Sequence, residues 1–170
     1  MRHFYNVVAA AALLLVLASP ESVLGQELTD TEEALIAAET QRHVELYYNY
    51  YFERDAEALS TEIFTLPWIT LGGNGVLITT TQEENLASFE SSIAGLLARD
   101  WNRSIYTTKS VCVLTASSAI VSGTNTRTRV DGSIMSVGGV TYILGKTDDG
   151  WRIISFSSHS PGKVVRCGGE

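Results

Sequence analysis

The stretch from Arg103 to His159 constrains this chain more than any other, because it reads as four β-strands joined by three short turns. Ile105–Leu114, Ala119–Val130, Ile134–Lys146 and Trp151–Ser158 are rich in Val, Ile, Thr, Tyr and Phe, side chains that suit a pleated, half-buried surface. Between them lie Thr115–Ser118, Asp131-Gly132 and Asp148-Asp149-Gly150. Asp-Gly supplies the positive φ angles of tight hairpins. Connections this short predict an antiparallel meander, and such a sheet needs an apolar layer across one face. Gly138-Gly139 falls inside the third of these strands, where glycine marks a bulge or a bend that lets a sheet curl.

The covering layer is expected from the N-terminal half. Thr29-Asp30-Thr31-Glu32-Glu33 offers overlapping capping boxes, Thr29 with Glu32 and Asp30 with Glu33, so a helix is predicted from there to about Glu53. Its apolar stripe is Ile36, His43, Leu46, Tyr47 and Tyr50, with Glu39 on the same side and Gln41, Arg42, Glu45 and Asn49 opposite. Arg54–Phe64 reads as a second, short helix, ended by Pro67. Trp68–Leu71 and Val76–Thr80 read as short strands around Gly72-Gly73-Asn74-Gly75, a turn that lacks the Lys-Ser/Thr of a phosphate cradle. Thr80-x-x-Glu83 and Thr81-x-x-Glu84 open a third helix, whose stripe is Leu86, Phe89, Ile93, Leu96 and Leu97. The expected order is therefore α-α-ββ-α-ββββ. That is an α+β fold, a curled antiparallel sheet wrapped over N-terminal helices as a cone open at one end.

The beginning of the chain follows a different logic. A basic Met1-Arg2-His3, an unbroken apolar run Val7–Ala18 and a small residue at Gly25 form the pattern of a secretory signal peptide. Residues 1–25 are expected to be removed, leaving residues 26–170 as one domain that is exported, periplasmic or secreted, with 162–170 as a loose tail. No later segment is long and apolar enough to span a bilayer, so no membrane contact is expected after cleavage. Residues 27–102 carry a net charge of −11 and residues 103–170 a net of +4. No basic run exceeds isolated residues, which argues against nucleic acid as a partner. Cys112 and Cys167 are the only cysteines. In an exported chain they form either one disulfide, stapling the tail to the sheet, or two separate thiols. His43 and His159 stand without metal-ligand spacing to them, and no motif calls for a metal or a cofactor.

This order of elements resembles the nuclear-transport-factor-2-like superfamily, the cystatin-like α+β cone of ketosteroid isomerases, scytalone dehydratase and SnoaL-like polyketide cyclases. The pieces that carry the resemblance are Arg127-Thr-Arg-Val-Asp131-Gly132, Tyr142-Ile-Leu, Gly150-Trp151-Arg152-Ile153 and His159. They look like an uncharacterised SnoaL-like subgroup, and the likeness runs from about Glu32 to His159. It implies a cone with an internal cavity. The isomerases and cyclases typically carry a carboxylate base on a strand facing that cavity. Here the acids after Asp100 are Asp131, Asp148 and Asp149, all in turns, and Glu170 at the end.

Several residues can be assigned chemistry on this basis. His159, ending the last strand, is the candidate acid/base, and strict alternation puts it on the face of Trp151, Ile153, Ser155 and Ser157. Arg127 shares a strand face with Asn125 and Arg129 and can hold an anion through its planar fork. His43 lies one turn after Glu39 and can pair with it. Tyr47, Tyr50, Trp68 and Tyr142 are the remaining candidate ligand contacts, tyrosine adding a hydroxyl to apolar bulk. The first reading is an exported domain that binds a small, partly apolar molecule. The second is an isomerase, dehydratase or cyclase. The third is a non-catalytic interaction module, a homodimer included. An enclosed cavity where His159, Arg127 and a tyrosine converge favours the enzyme, and a filled cone favours the module.

Overall fold

A computed structural model describes residues 27–73 and 75–168. The expected signal peptide, residues 1–25, lies outside the described residues, as does Asn74 of the glycine-rich turn. Helix α1 spans Asp30–Glu53, α2 spans Ala56–Ala58 and runs into a π-helical turn at Leu59–Ile63, and α3 spans Gln82–Leu97. The strands are β1 Phe64–Gly72, β2 Gly75–Thr79, β3 Trp101–Thr115, β4 Ser118–Arg129, β5 Ile134–Thr147 and β6 Gly150–His159. They form one curled sheet in the order β2-β1-β6-β5-β4-β3. No described helix is long and apolar enough to cross a membrane.

The helix starts follow from local chemistry. Of the overlapping boxes, the structure uses Thr29 with Glu32 and Thr81 with Glu84, each threonine and glutamate satisfying the other's free backbone N–H. Asp55 caps α2 by accepting from Ala58 N at 2.9 Å. The buried line of α1 is Ile36, Thr40, Val44, Tyr47 and Tyr48, rotated from the expected stripe. Thr40 is tolerated in that line. Its hydroxyl donates to the carbonyl of Ile36 at 2.9 Å, which satisfies a polar group that then occupies the core without cost to its hydrogen bonding. His43, Leu46 and Tyr50 are displaced to half-buried flanks.

Two features of the sheet differ from the reading of a plain antiparallel sheet. Four of its five pairings are antiparallel, but β1 pairs with β6 in parallel. The connection between these two strands contains β2, α3 and three long strands, ample for the crossover a parallel pair needs. Pro67 does not separate helix from strand either: β1 begins before it, at Phe64, and its register with β6 shifts between Phe64 and Ile69. Proline has no N–H to give a ladder, so a break in pairing is where a strand tolerates it.

The core is the space between α1, α3 and the concave face of the sheet. Val44, Leu59, Ile63, Val121, Leu144 and Ile153 are fully buried there. Phe89 of α3 packs on Tyr51, Phe64 and Trp68. Among the described residues beyond β6 there is no further helix or strand, yet the tail is held. Cys167 is bonded to Cys112 of β3, with Cα atoms 5.5 Å apart, and Val165 N donates to Ser122 Oγ of β4 at 3.0 Å. Closing a loop of this length contributes on the order of 4 kcal/mol in the chain-entropy account.

Two outcomes follow from this packing. Phe89→Ala should lower unfolding stability by about 3–5 kcal/mol in denaturant titrations, whereas a loss near zero would mean that α3 does not seal the cone. Protein denatured without reductant should show no titratable thiol, and two thiols would remove the bridge.

Candidate functional site

The inner face of β4 builds the site. Its inward residues are Val121, Gly123, Asn125 and Arg127, because alternation along the strand keeps them on the side of the helices. A Cβ on Gly123 would meet the carbonyl oxygen of Thr107 and stand 2.9 Å from Cζ of Tyr106. Only glycine lets the Tyr106 ring cross the strand there. That ring stacks on Tyr48 of α1, with centroids 5.2 Å apart, and its hydroxyl donates to Val140 O at 2.9 Å. Tyr48 and Tyr142 share a hydrogen bond of 2.7 Å between their hydroxyls. Tyr47 meets Tyr48, Tyr51, Phe64 and Tyr142 edge-on.

These rings nearly fill the cone. What is left is a cavity of about 10 Å³, lined by Tyr47, Tyr48, Tyr51, Leu96, Ser104, Asn125 and Arg127. That is room for about one water molecule. Two buried polar atoms in this wall have no partner, Oδ1 of Asn125 and Nε of Arg127. One accepts and the other donates. Tyr51 and Arg127 are the half-buried members of the lining, so the way in passes between them. Among the described residues no carboxylate lines the cavity. Larger clefts exist, such as one of about 540 Å³ beside Gln41, Glu45 and Lys109, an open surface groove between α1 and β3. The small cavity with two unpartnered polar atoms is the stronger candidate.

Burial dominates the electrostatics here. It pushes the phenols of Tyr47, Tyr48, Tyr51, Tyr106 and Tyr142 above the ordinary tyrosine range. All five therefore stay protonated at neutral pH and act as hydrogen-bond donors or acceptors, not as bases.

The other candidates fall into separate places. Trp68 lies elsewhere in the core, donating from Nε1 to Asn85 Oδ1 at 2.9 Å, while Asn85 donates to Ser60 O at 2.7 Å. Tyr50 is outside the cone and bonds to Glu62, whose acceptance of the hydroxyl proton is the main cause of a phenol pKa pushed up to about 12. His43 does not pair with Glu39. Its Nε2 faces Ile63 O at 3.0 Å, and burial lowers its pKa, which keeps the ring neutral. Glu39 instead accepts from Trp151 Nε1 at 2.9 Å. Among the described residues no three His, Cys, Asp or Glu gather where they could hold a metal ion.

His159 is on the opposite face of the sheet from Arg127, and the two do not converge. The register of β5 with β6 passes from Ile143 opposite Ser155 to Leu144 opposite Ile153. Ile154 is therefore an extra residue, and a single-residue bulge reverses which side chains face inward beyond it. Trp151 and Ile153 point into the cone, Phe156 takes up the inward line, and His159 turns outward. There its Nε2 lies 2.8 Å from Thr141 Oγ1 and its Nδ1 is 2.9 Å from Ser160 O. Thr141 in turn bonds to Ser122 at 2.6 Å, which holds Val165 of the tail. His159 belongs to a clasp for the tail. The lining residues that the sequence reading left out are Tyr48, Tyr51, Leu96, Ser104 and Asn125. Tyr51 stands one helical turn after both Tyr47 and Tyr48, and Asn125 shares the alternation of Arg127.

Residues 38–161 match a family described as "NTF2-like protein (DUF6841)". No curated protein matches the chain. Among solved structures, an NTF2-like protein with a cystatin-like fold from Novosphingobium aromaticivorans is 18% identical, with a TM-score of 0.61 over 75% of this chain and 84% of that one. A ketosteroid isomerase-like protein from Erwinia carotovora atroseptica is 17% identical, TM-score 0.53, covering 72% and 94%. A proposed dehydratase of the NTF2-like family from Streptomyces avermitilis is 18% identical, TM-score 0.59, covering 75% and 97%. At such identities the likeness concerns the fold.

The buried phenols make the protein sensitive to alkali. In the unfolded chain tyrosine loses its proton near pH ~10, whereas the folded cone holds these five above that value. Their contribution to stability is thus intact below about pH 10 and is lost as the pH rises from there toward the folded values. Phenolate absorbance should appear together with loss of tertiary structure in one cooperative transition. Free titration of these phenols in a still-folded protein would contradict the closed cone.

Proposed function

The chain belongs to the NTF2-like protein family, and from that premise we propose that it is an exported domain that binds a small, partly apolar molecule carrying a hydroxyl group. The observation that carries this is the pair of unpartnered atoms in the cavity wall, Arg127 Nε and Asn125 Oδ1. Leaving both buried without partners costs about 1–3 kcal/mol each. A single hydroxyl answers both, accepting from the guanidinium and donating to the amide oxygen. The cavity has space for that group alone. The apolar body of the molecule then lies at the mouth, against the half-buried ring of Tyr51. Export fits the signal-like N-terminus and the Cys112–Cys167 bond, which persists in oxidising compartments.

Binding without turnover is the better supported form of this reading. An isomerase, dehydratase or cyclase needs a group that takes a proton from its substrate. The cavity lining has no carboxylate and no histidine, and its phenols are held protonated. A second reading, a non-catalytic interaction module, is favoured by how little of the cone is empty.

Small cyclic alcohols and phenols, compared with their deoxy counterparts, separate these readings. Hydroxyl compounds should raise the melting temperature, and Arg127→Gln should weaken them by about 1.5–3 kcal/mol, the worth of one charge-assisted hydrogen bond. Deoxy compounds that bind equally well would remove the hydroxyl from the account. If no compound of either kind raises the melting temperature, the cavity holds one water and the interaction module stands.

A further inference from the structure

Of the six asparagines in the chain, only Asn102 is followed two residues on by a serine or threonine. Asn102-Arg103-Ser104 is the acceptor pattern for attaching a sugar to an asparagine amide, with no proline in the middle to forbid it. A pattern this short also arises by chance, so its place in the fold decides its worth. β3 is an end strand of the sheet, and its register with β4 passes from Trp101 opposite Arg129 to Arg103 opposite Thr128. Asn102 is therefore the extra residue of a bulge, and it is exposed, while Trp101 and Ser104 on either side are buried. Close by, Val130 is 72% exposed, and its N–H donates to Asp100 O at 2.9 Å.

We infer that Asn102 is a modification site, carrying an N-linked sugar chain that is attached during export, before β3 folds. This rests on the reading that the chain is exported, because the sugar donor, an oligosaccharide on a lipid diphosphate, is held at the membrane the chain crosses. The step bonds Nδ2 of Asn102 to the anomeric carbon of the first sugar and breaks that carbon's bond to the diphosphate oxygen. The electron pair of the broken bond leaves with the diphosphate, and one amide proton passes to a base of the transferring enzyme. Nothing is oxidised or reduced. The timing comes from Ser104. An enzyme that reads the pattern must reach its hydroxyl together with the asparagine amide. In the folded strand that hydroxyl is buried, accepts from Trp101 Nε1 at 3.2 Å and lines the inner cavity. Folding thus withdraws one half of the acceptor and leaves the other half in solvent. The attached sugar stays outside, where a bulky polar group shields Val130. It also stands in the way of any chain pairing along the open side of β3, and covering an edge strand is one way such pairing is prevented.

Intact-mass measurement of the protein recovered outside the cytoplasm of its source cells tests this. The mature chain should weigh more than its sequence, and an amidase that cuts the asparagine–sugar bond should remove the excess and leave an aspartate at that position. Asn102→Gln, at an exposed bulge, should be exported and folded without the excess. Bare folded protein, offered a transferase and its lipid diphosphate-linked sugar, should stay unmodified. The reduced, unfolded chain diluted into the same mixture should accept sugar at Asn102. Exported chains that have lost residues 1–25 but are bare at Asn102 would overturn this inference and leave the export reading intact. Chains kept in the cytoplasm with residues 1–25 attached would overturn both. An excess that survives Asn102→Gln, or equal transfer to folded and unfolded chains, would overturn the site or its timing.

Discussion

Two phenol oxygens, one on α1 and one on β5, meet at 2.7 Å where water does not reach. Neither Tyr48 nor Tyr142 can be buried alone, because a hydroxyl cut off from solvent needs a partner. Each makes the other's position tolerable. The bond therefore fixes the rotation of α1 about its axis as well as its distance from the sheet. Tyr47 and Tyr51 are placed by the same rotation, and so is the stack of Tyr48 on Tyr106 that Gly123 makes room for. The closed cone, its residual cavity and the orientation of Arg127 toward phenols are consequences of that setting.

Most of the fold was legible because it rests on local rules. Asp-Gly turns, threonine–glutamate boxes and β-rich segments each announce themselves within a few residues, and strands, helix starts and order were read from them. What escaped reading is what depends on a single position. Thr40 is buried with its hydroxyl bonded to Ile36 O, so a stripe counted from apolar residues alone passed over it. Ile154 is one residue too many for its neighbour strand, and nothing in Ile153-Ile154-Ser155 marks it. That one insertion moves His159 from the concave to the convex side. The parallel pairing of β1 with β6 joins strands remote in sequence, which no window along the chain can contain.

The site was half legible for the same reason. Alternation correctly grouped Asn125 with Arg127 but could not say which face was inside, since neither face of β4 is apolar. The deciding fact is tertiary: the tyrosines of α1 lie on that side. A cone built this way differs from a roomy one in kind. Its cavity lining offers neutral phenols, an amide, a serine hydroxyl and one guanidinium, all of them able to hydrogen-bond.

The bond between Cys112 and Cys167 has a consequence in time. Cys167 follows the last strand in the chain, while Cys112 sits in the first strand of the meander, so three strands must be delivered before the two sulfurs can meet. The ordered strands hold those sulfurs together, with Cα atoms 5.5 Å apart, so the native pairing of β3 to β6 favours this closure. A sheet paired one residue out of register would bring the tail to a different part of β3 and make the bond harder to close. The staple thus fits best over chains whose strands have already found their places.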